Sequence, residues 1–240
     1  MNGGLPLIIT RPSPGAEASA ARAIAMGIDA HAMPLFAAQV LAWRSPDPAG
    51  FDALLLTSAR APNLAGTAIA ALLTLPCYAV GEATAAAARV AGLAPVQTGS
   101  GDAQHLVDAM IAAGRCRILW PCGRDHIMLA AGGAMLVPLP CYAVDPVEPP
   151  PLWHAMIARP AVIAVHSARA ARHISERVGG MRKYLKLAVI SPAVAVAAGS
   201  GWAEIAVADT PDDAALLAKA RALCHKGEQV GRAKVNENDG

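Results

Sequence analysis

Arg11, Arg60, Arg124 and Arg169 each follow a short apolar run by a few residues. A guanidinium at the end of a buried strand presents a planar fork of donors that matches a carboxylate. Taken singly, a loop arginine is more often a solvated charge or a helix-end partner. Four at equivalent places point to an anionic ligand. Ser58 and Ser167 stand between the apolar run and the arginine in two of these segments, but neither lies in a G-x-S-x-G elbow. The residue before Ser167 is His166, and before Ser58 it is Thr57, so no shared base accompanies the hydroxyl. Helix capping or hydrogen bonding to a ligand suits both serines better than nucleophilic attack. Tyr142 lies beside Cys141 in an extended stretch before a proline-rich run. A phenol keeps its proton at neutral pH and could give it to a leaving oxygen. The same ring could equally be a packing wedge, and the residues alone leave both readings open.

Other chemistries lack their signatures. The seven histidines show no HExxH spacing and the five cysteines no CxxC, so neither a metal site nor a disulfide framework is expected. Gly99-Ser100-Gly101 has no third glycine at dinucleotide spacing, and no GK[ST] occurs. That turn reads as a capping loop, with Asp102 as N-cap of a helix over 103–113. A net charge of +2 without a dense Lys/Arg block argues against nucleic acid. Apolar runs are broken by Lys186, Ser191 or Pro192 before membrane-spanning length, and no basic leader precedes Leu5. A cytoplasmic protein with free thiols, acting as a monomer without cofactor and without membrane contact, is the expectation.

The elements that must position these residues come in two copies. Ser58-Ala59-Arg60-Ala61 recurs as Ser167-Ala168-Arg169-Ala170, and at the same offset of 109 residues 52–97 lie over 161–206 without a gap. Each copy reads as apolar strand, small polar turn, alanine-rich helix, strand and turn. The fold class is therefore α/β: two similar lobes, each a parallel sheet flanked by helices, joined by a two-stranded linker. In such sheets ligands sit beyond the carboxyl ends of the strands, and two opposed rims would hold a longer ligand than one.

The continuous run Leu5 to Ile9 is read as a strand, residues 16–26 as a helix and 32–35 as a strand. This unit has no repeat partner, whereas 117–144 fills the equivalent place after the first copy. The simplest arrangement joins 1–35 with 148–225 as a discontinuous first lobe and makes 44–140 the second. Residues 36–43 and 141–147 are then linkers, and the polar stretch 226–240 a disordered tail.

Several stretches together resemble the uroporphyrinogen-III synthase family: Ile9-Thr-Arg-Pro12, Phe51-Asp-Ala-Leu-Leu-Leu-Thr-Ser-Ala-Arg-Ala61, Tyr78-Ala-Val-Gly-Glu-Ala-Thr84, Pro121-Cys-Gly123, Tyr142, His166-Ser-Ala-Arg-Ala170 and Ala208-Asp-Thr-Pro211. They follow the family's order from about Leu5 to Leu223. The resemblance implies an enzyme that takes the linear tetrapyrrole hydroxymethylbilane, inverts its last ring and closes the macrocycle without a cofactor. It implies a ligand held largely by loop backbone, here Ser58, Ala59 and Arg60, then Gly81, Glu82 and Ala83, then Cys122, Gly123 and Arg124, then Ser167, Ala168 and Arg169, and finally Ser191, Pro192 and Ala193, and its many carboxylates give the strand-end arginines, Arg11 among them, a purpose. It implies that Tyr142 assists loss of the hydroxyl. Many members carry a threonine where Asp212 stands, and a carboxylate there is read as a helix cap. A two-lobed binding or sensory module for an anionic metabolite is the alternative.

Overall fold

The computed structural model describes residues 4–99 and 102–235. The chain runs β1 (Leu7–Ile9), α1 (Gly15–Ala25), β2 (Ala30–Ala32), β3 (Phe36–Val40), β4 (Ala53–Leu56), α2 (Arg60–Leu64), β5 (Cys77–Val80), α3 (Glu82–Val90), β6 (Pro95–Gly99), α4 (Ala103–Ala112), β7 (Arg117–Gly123), β8 (Met135–Pro146), α5 (Trp153–Ile157), β9 (Ala161–Val165), α6 (Ala168–Val178), β10 (Leu185–Val189), α7 (Pro192–Ala198), β11 (Glu204–Val207) and α8 (Asp213–Val235). It divides into two compact units, Met1–Ala37 with Pro146–Gly240, and Ala38–Asp145.

The first unit holds a five-stranded sheet in the order β11-β10-β9-β1-β2. The second sheet has the order β3-β8-β7-β4-β5-β6. Leaving β3 aside, the two orders are the same arrangement, with β1 and β2 standing where β7 and β8 stand. The registers agree as well. Ala53 pairs with Ile118 and Val162 with Leu7, and Ala53 and Val162 are repeat partners. All these pairings are parallel. A parallel sheet is covered on both faces, which is why its strands read as unbroken apolar runs such as Ala-Leu-Leu-Leu and Ala-Val-Ile-Ala-Val.

Alternate residues of one strand feed opposite faces. In the second unit Leu54 and Leu56 join one core cluster with Leu72, Cys77 and Leu119, whereas Ala53 and Leu55 join another with Leu106, Met110 and Ile118. In the first unit α1 buries Ala16, Ser19, Ala20 and Ala23, and α8 buries Leu216, Leu217, Ala220 and Leu223. Small side chains on α1 let its backbone approach the sheet, which explains how a chain with 4% aromatics builds dense cores.

Several expectations meet a different structure. Residues 36–40 and 141–146, read as a two-stranded linker, are strand as that reading requires, but as β3 and part of β8 they belong to the second sheet itself. β7 continues through Pro121, Cys122 and Gly123 instead of ending at Trp120. Its register with β4 stops at Leu119, so the missing N–H of Pro121 costs that ladder nothing. Residues 226–235, read as disordered, continue α8. A helix nucleated by buried leucines propagates into a proline-free polar stretch, and residues 236–240 lie outside the described residues. The capping turn at Gly99 likewise falls partly on residues 100 and 101, outside them, although the Asp102 carboxylate does accept from His105 N at 3.1 Å.

Candidate active site

In each sheet the strand order reverses direction, between β4 and β7 in one and between β9 and β1 in the other. At such a switch point the flanking loops of an open α/β sheet part beyond the carboxyl ends, which is where ligands of such folds sit. Thr57, Ser58 and Gly123, Arg124 stand at the ends of the two strands concerned in the second unit. His166, Ser167 and Thr10, Arg11 stand at those of the first.

The second unit's rim is built around an aromatic group. Tyr142 belongs to β8, not to a linker, and is 8% exposed. It pairs with Gly123 of β7 after a register shift at Cys122. A Cβ on Gly123 would lie 3.0 Å from the phenol's Cε2 and Cζ and 3.2 Å from its oxygen. Glycine thus lets the ring lie close across the end of β7, where a side chain would press the phenol aside by a few tenths of an ångström. The next residue is tied to the same tyrosine, because Arg124 N donates to the Tyr142 carbonyl at 2.8 Å. The Arg124 guanidinium pairs with Asp145, also on β8, and reaches Asp125 at 3.5 Å. The Asp145 hydrogen bond, with that to Asp125, raises the pKa of the guanidinium above its ordinary value. That amide and guanidinium, both expected to face a ligand, are therefore engaged with β8 and the adjoining aspartate.

Thiol chemistry has no place here. Burial pushes the Cys122 thiol up to about 12 and that of Cys141 to about 11, so both stay protonated at neutral pH.

The remaining rim loops lead into helices. Ser167 caps α6, its Oγ accepting from Ala170 N at 3.1 Å, whereas Ser58 precedes the Ala59 cap position of α2 and its Oγ accepts from Arg60 N, two residues on, at 3.2 Å. Gly81 takes φ +80° to turn β5 into α3, a conformation open to glycine at little cost. The first-turn N–H groups of Glu82, Ala83, Ala168, Arg169 and Ala193 are among those an α-helix leaves without an intrahelical acceptor, and they carry the positive end of its dipole. These positions suit carboxylates. Arg169 lies with its guanidinium carbon 5.4 Å from the centre of the Phe36 ring.

The first unit's rim is polar and charged, and sequence inspection missed its centre. Asp213, the first residue of α8, accepts from Arg11 at 3.1 Å, Ser19 at 2.7 Å, Arg22 at 2.7 Å and His166 Nε2 at 2.8 Å. Burial alone would raise this carboxyl, but the bonds from His166, Ser19 and Arg22 outweigh it and hold it at about 2. His166 is pushed below 6.5, by burial first and then by Arg11 and Arg22, with Asp213 opposing. It is accordingly the neutral imidazole, with Nε2–H donating to the carboxylate. Arg22 is half exposed and adds little to stability. The inner contacts with Ser19 and His166 count for more, since losing a partner there strands a buried polar group. Asp212 caps α8, accepting from Ala215 N at 2.9 Å.

Among the described residues no group of three or more potential ligands could hold a metal ion, and no helix is long and apolar enough to cross a membrane. The profile described as uroporphyrinogen-III synthase HemD matches residues 17–218. The chain belongs to the uroporphyrinogen-III synthase family. Its fold agrees with a Helicobacter pylori structure described as uroporphyrinogen-III synthetase: TM-score 0.64 at 13% identity, covering 91% of this chain and 99% of that one. A mutant uroporphyrinogen III synthase from the extremely thermophilic bacterium Thermus thermophilus gives TM-score 0.50 at 16% identity, covering 92% and 99%. No curated protein sequence matches the chain. The family places the protein in tetrapyrrole and haem biosynthesis, with hydroxymethylbilane as the substrate the family implies.

Proposed function

We propose that this family member is a hydro-lyase that cyclises hydroxymethylbilane to uroporphyrinogen III. The observation that supports the reading most directly is the phenol of Tyr142, packed across Gly123 at the carboxyl end of β7 beside the switch point. In this reading Tyr142 gives its proton to the substrate's terminal hydroxyl as the C–O bond breaks. Water leaves, and the pyrrole nitrogen's electrons form an azafulvene. That electrophile closes unaided to the type I macrocycle with no ring inverted. Type III requires attack at the substituted carbon of the last ring, a spiro intermediate, and reopening before the final bond forms. The protein's task is to hold the chain bent so that this carbon is the nearer one.

The substrate's carboxylates give the remaining rim groups a purpose. On the second unit the helix-start amides after β4 and β5, with Arg60, and on the first unit those after β9 and β10, with Arg11 and Arg169, each offer carboxylates a set of donors in which no single residue carries the whole load. The reading calls for no metal or cofactor, and for a monomer in the cytoplasm. Purified protein without added metal or nucleotide is expected to yield type III in excess of spontaneous type I. Only type I at the uncatalysed rate would return the chain to a module that binds an anionic metabolite without converting it.

A further inference from the structure

Gly123 is the residue over which the Tyr142 ring lies, and glycine has the least resistance to backbone rotation of any residue. The β7–β8 ladder holds it on one side, where it pairs with Tyr142. Its carbonyl accepts from His126 Nδ1 at 3.0 Å. A carbonyl can only accept, so Nδ1 carries the proton in this contact. The His126 ring stands edge-on to Trp120, with centroids 5.0 Å apart and planes at 73°. Trp120 is 3% exposed, and its Nε1 donates to Thr57 Oγ1 at 3.0 Å, just past the end of β4. A continuous set of contacts therefore runs from Thr57 through Trp120 and His126 to Gly123, and so to the phenol.

We propose that His126 is a positioning residue for Tyr142: by holding the Gly123 carbonyl against the buried Trp120, it fixes the surface on which the phenol rests. The inference builds on the reading of Tyr142 as proton donor. His126 itself touches no reacting atom in this scheme. A phenol free to swing would still occupy its place for part of the time, so the loss falls on turnover and on the share of type III, not on affinity.

The test uses the full chain and hydroxymethylbilane. His126→Phe keeps an aromatic ring against Trp120 and removes the donor; turnover is expected to fall about tenfold with KM within about twofold, as a loosened catalytic group requires. Asn carries its amide nitrogen near the Nδ1 place and Gln nearer the Nε2 place. H126N is therefore expected to recover most of the loss and H126Q little of it, a difference that folding alone would not produce. In a Tyr142→Phe background, His126→Phe should add less than a twofold further loss, because its route to the chemistry is already cut. Wild-type turnover in H126F, equal recovery by Asn and Gln, or full additivity with Y142F would each overturn the inference. Wild-type turnover in Y142F alone would instead sink the reading beneath it.

Discussion

Gly123 and Tyr142 face one another across the β7–β8 ladder so closely that a Cβ on the glycine would lie 3.0 Å from the ring, a contact that the phenol must give way to relieve. The atoms in the way are the far end of a side chain that can swing, not backbone. Gly123→Ala should therefore displace the phenol while leaving the sheet nearly intact. Turnover is expected to drop about tenfold or more, with thermal unfolding shifted by only the ~1 kcal/mol typical of mild overpacking. Equal losses of stability and activity would mean that β7 itself had moved.

Tyr142→Phe keeps the buried ring and deletes the proton donor. Steady-state kinetics should show kcat lower by about 10²-fold, with KM little changed. An unaltered kcat would assign the ring to packing alone, in the core cluster it shares with Leu54, Leu56 and Cys141.

Acid should unfold the first unit in two stages. The His166 imidazole is depressed below 6.5, so the unfolded chain takes up its proton first and stability begins to fall as the pH drops through 6.5. Asp213 is depressed from 3.8 to about 2, so its contribution is complete above 3.8 and is lost between there and about 2. That second stage is worth about 2 kcal/mol by linkage. Denaturant titrations of Asp213→Asn across this range should lack the second stage. A variant with the parent's acid profile would show that the carboxylate's partners do not stabilise the fold.

Single alanine substitutions at Arg11 or Arg169 should raise KM about fivefold, roughly 1 kcal/mol, and affect kcat less, because helix-start amides share the anionic load. The double variant should lose more than either. Abolition of turnover by one of them would show that a guanidinium takes part in the chemistry.

The strands were legible because parallel sheets bury both faces: Leu54 to Leu56 and Ala161 to Val165 could hardly be anything else. The caps at Asp102 and Ser167 were legible because their partners are three residues away. The charged centre of the first rim was not, because Arg11 and Asp213 are 202 positions apart and no local pattern joins them. His166 was noticed in sequence without its partner for the same reason. The extent of β8 was hidden by Pro138 and Pro140. Two residues apart, they leave donors missing on one side of the strand only, so the other ladder survives. His126 gave no signal at all, since a histidine bonding a carbonyl three residues back has no compositional signature.

The matching sheet orders bear on how the chain is made. β3 to β8 are consecutive, so the second sheet has all its strands in hand before β9 is synthesised. The first sheet seats β1, which precedes the whole second unit in the chain, directly against β9, which follows it. β1 must therefore wait, apolar and unpaired, while the whole intervening unit is built, and its closure is a long-range event of the kind that slows folding. Slow late folding of a nascent chain that already contains a finished second unit is the expected signature, and a circular permutant that begins at β3 and carries β1 and β2 after α8 should shorten that wait.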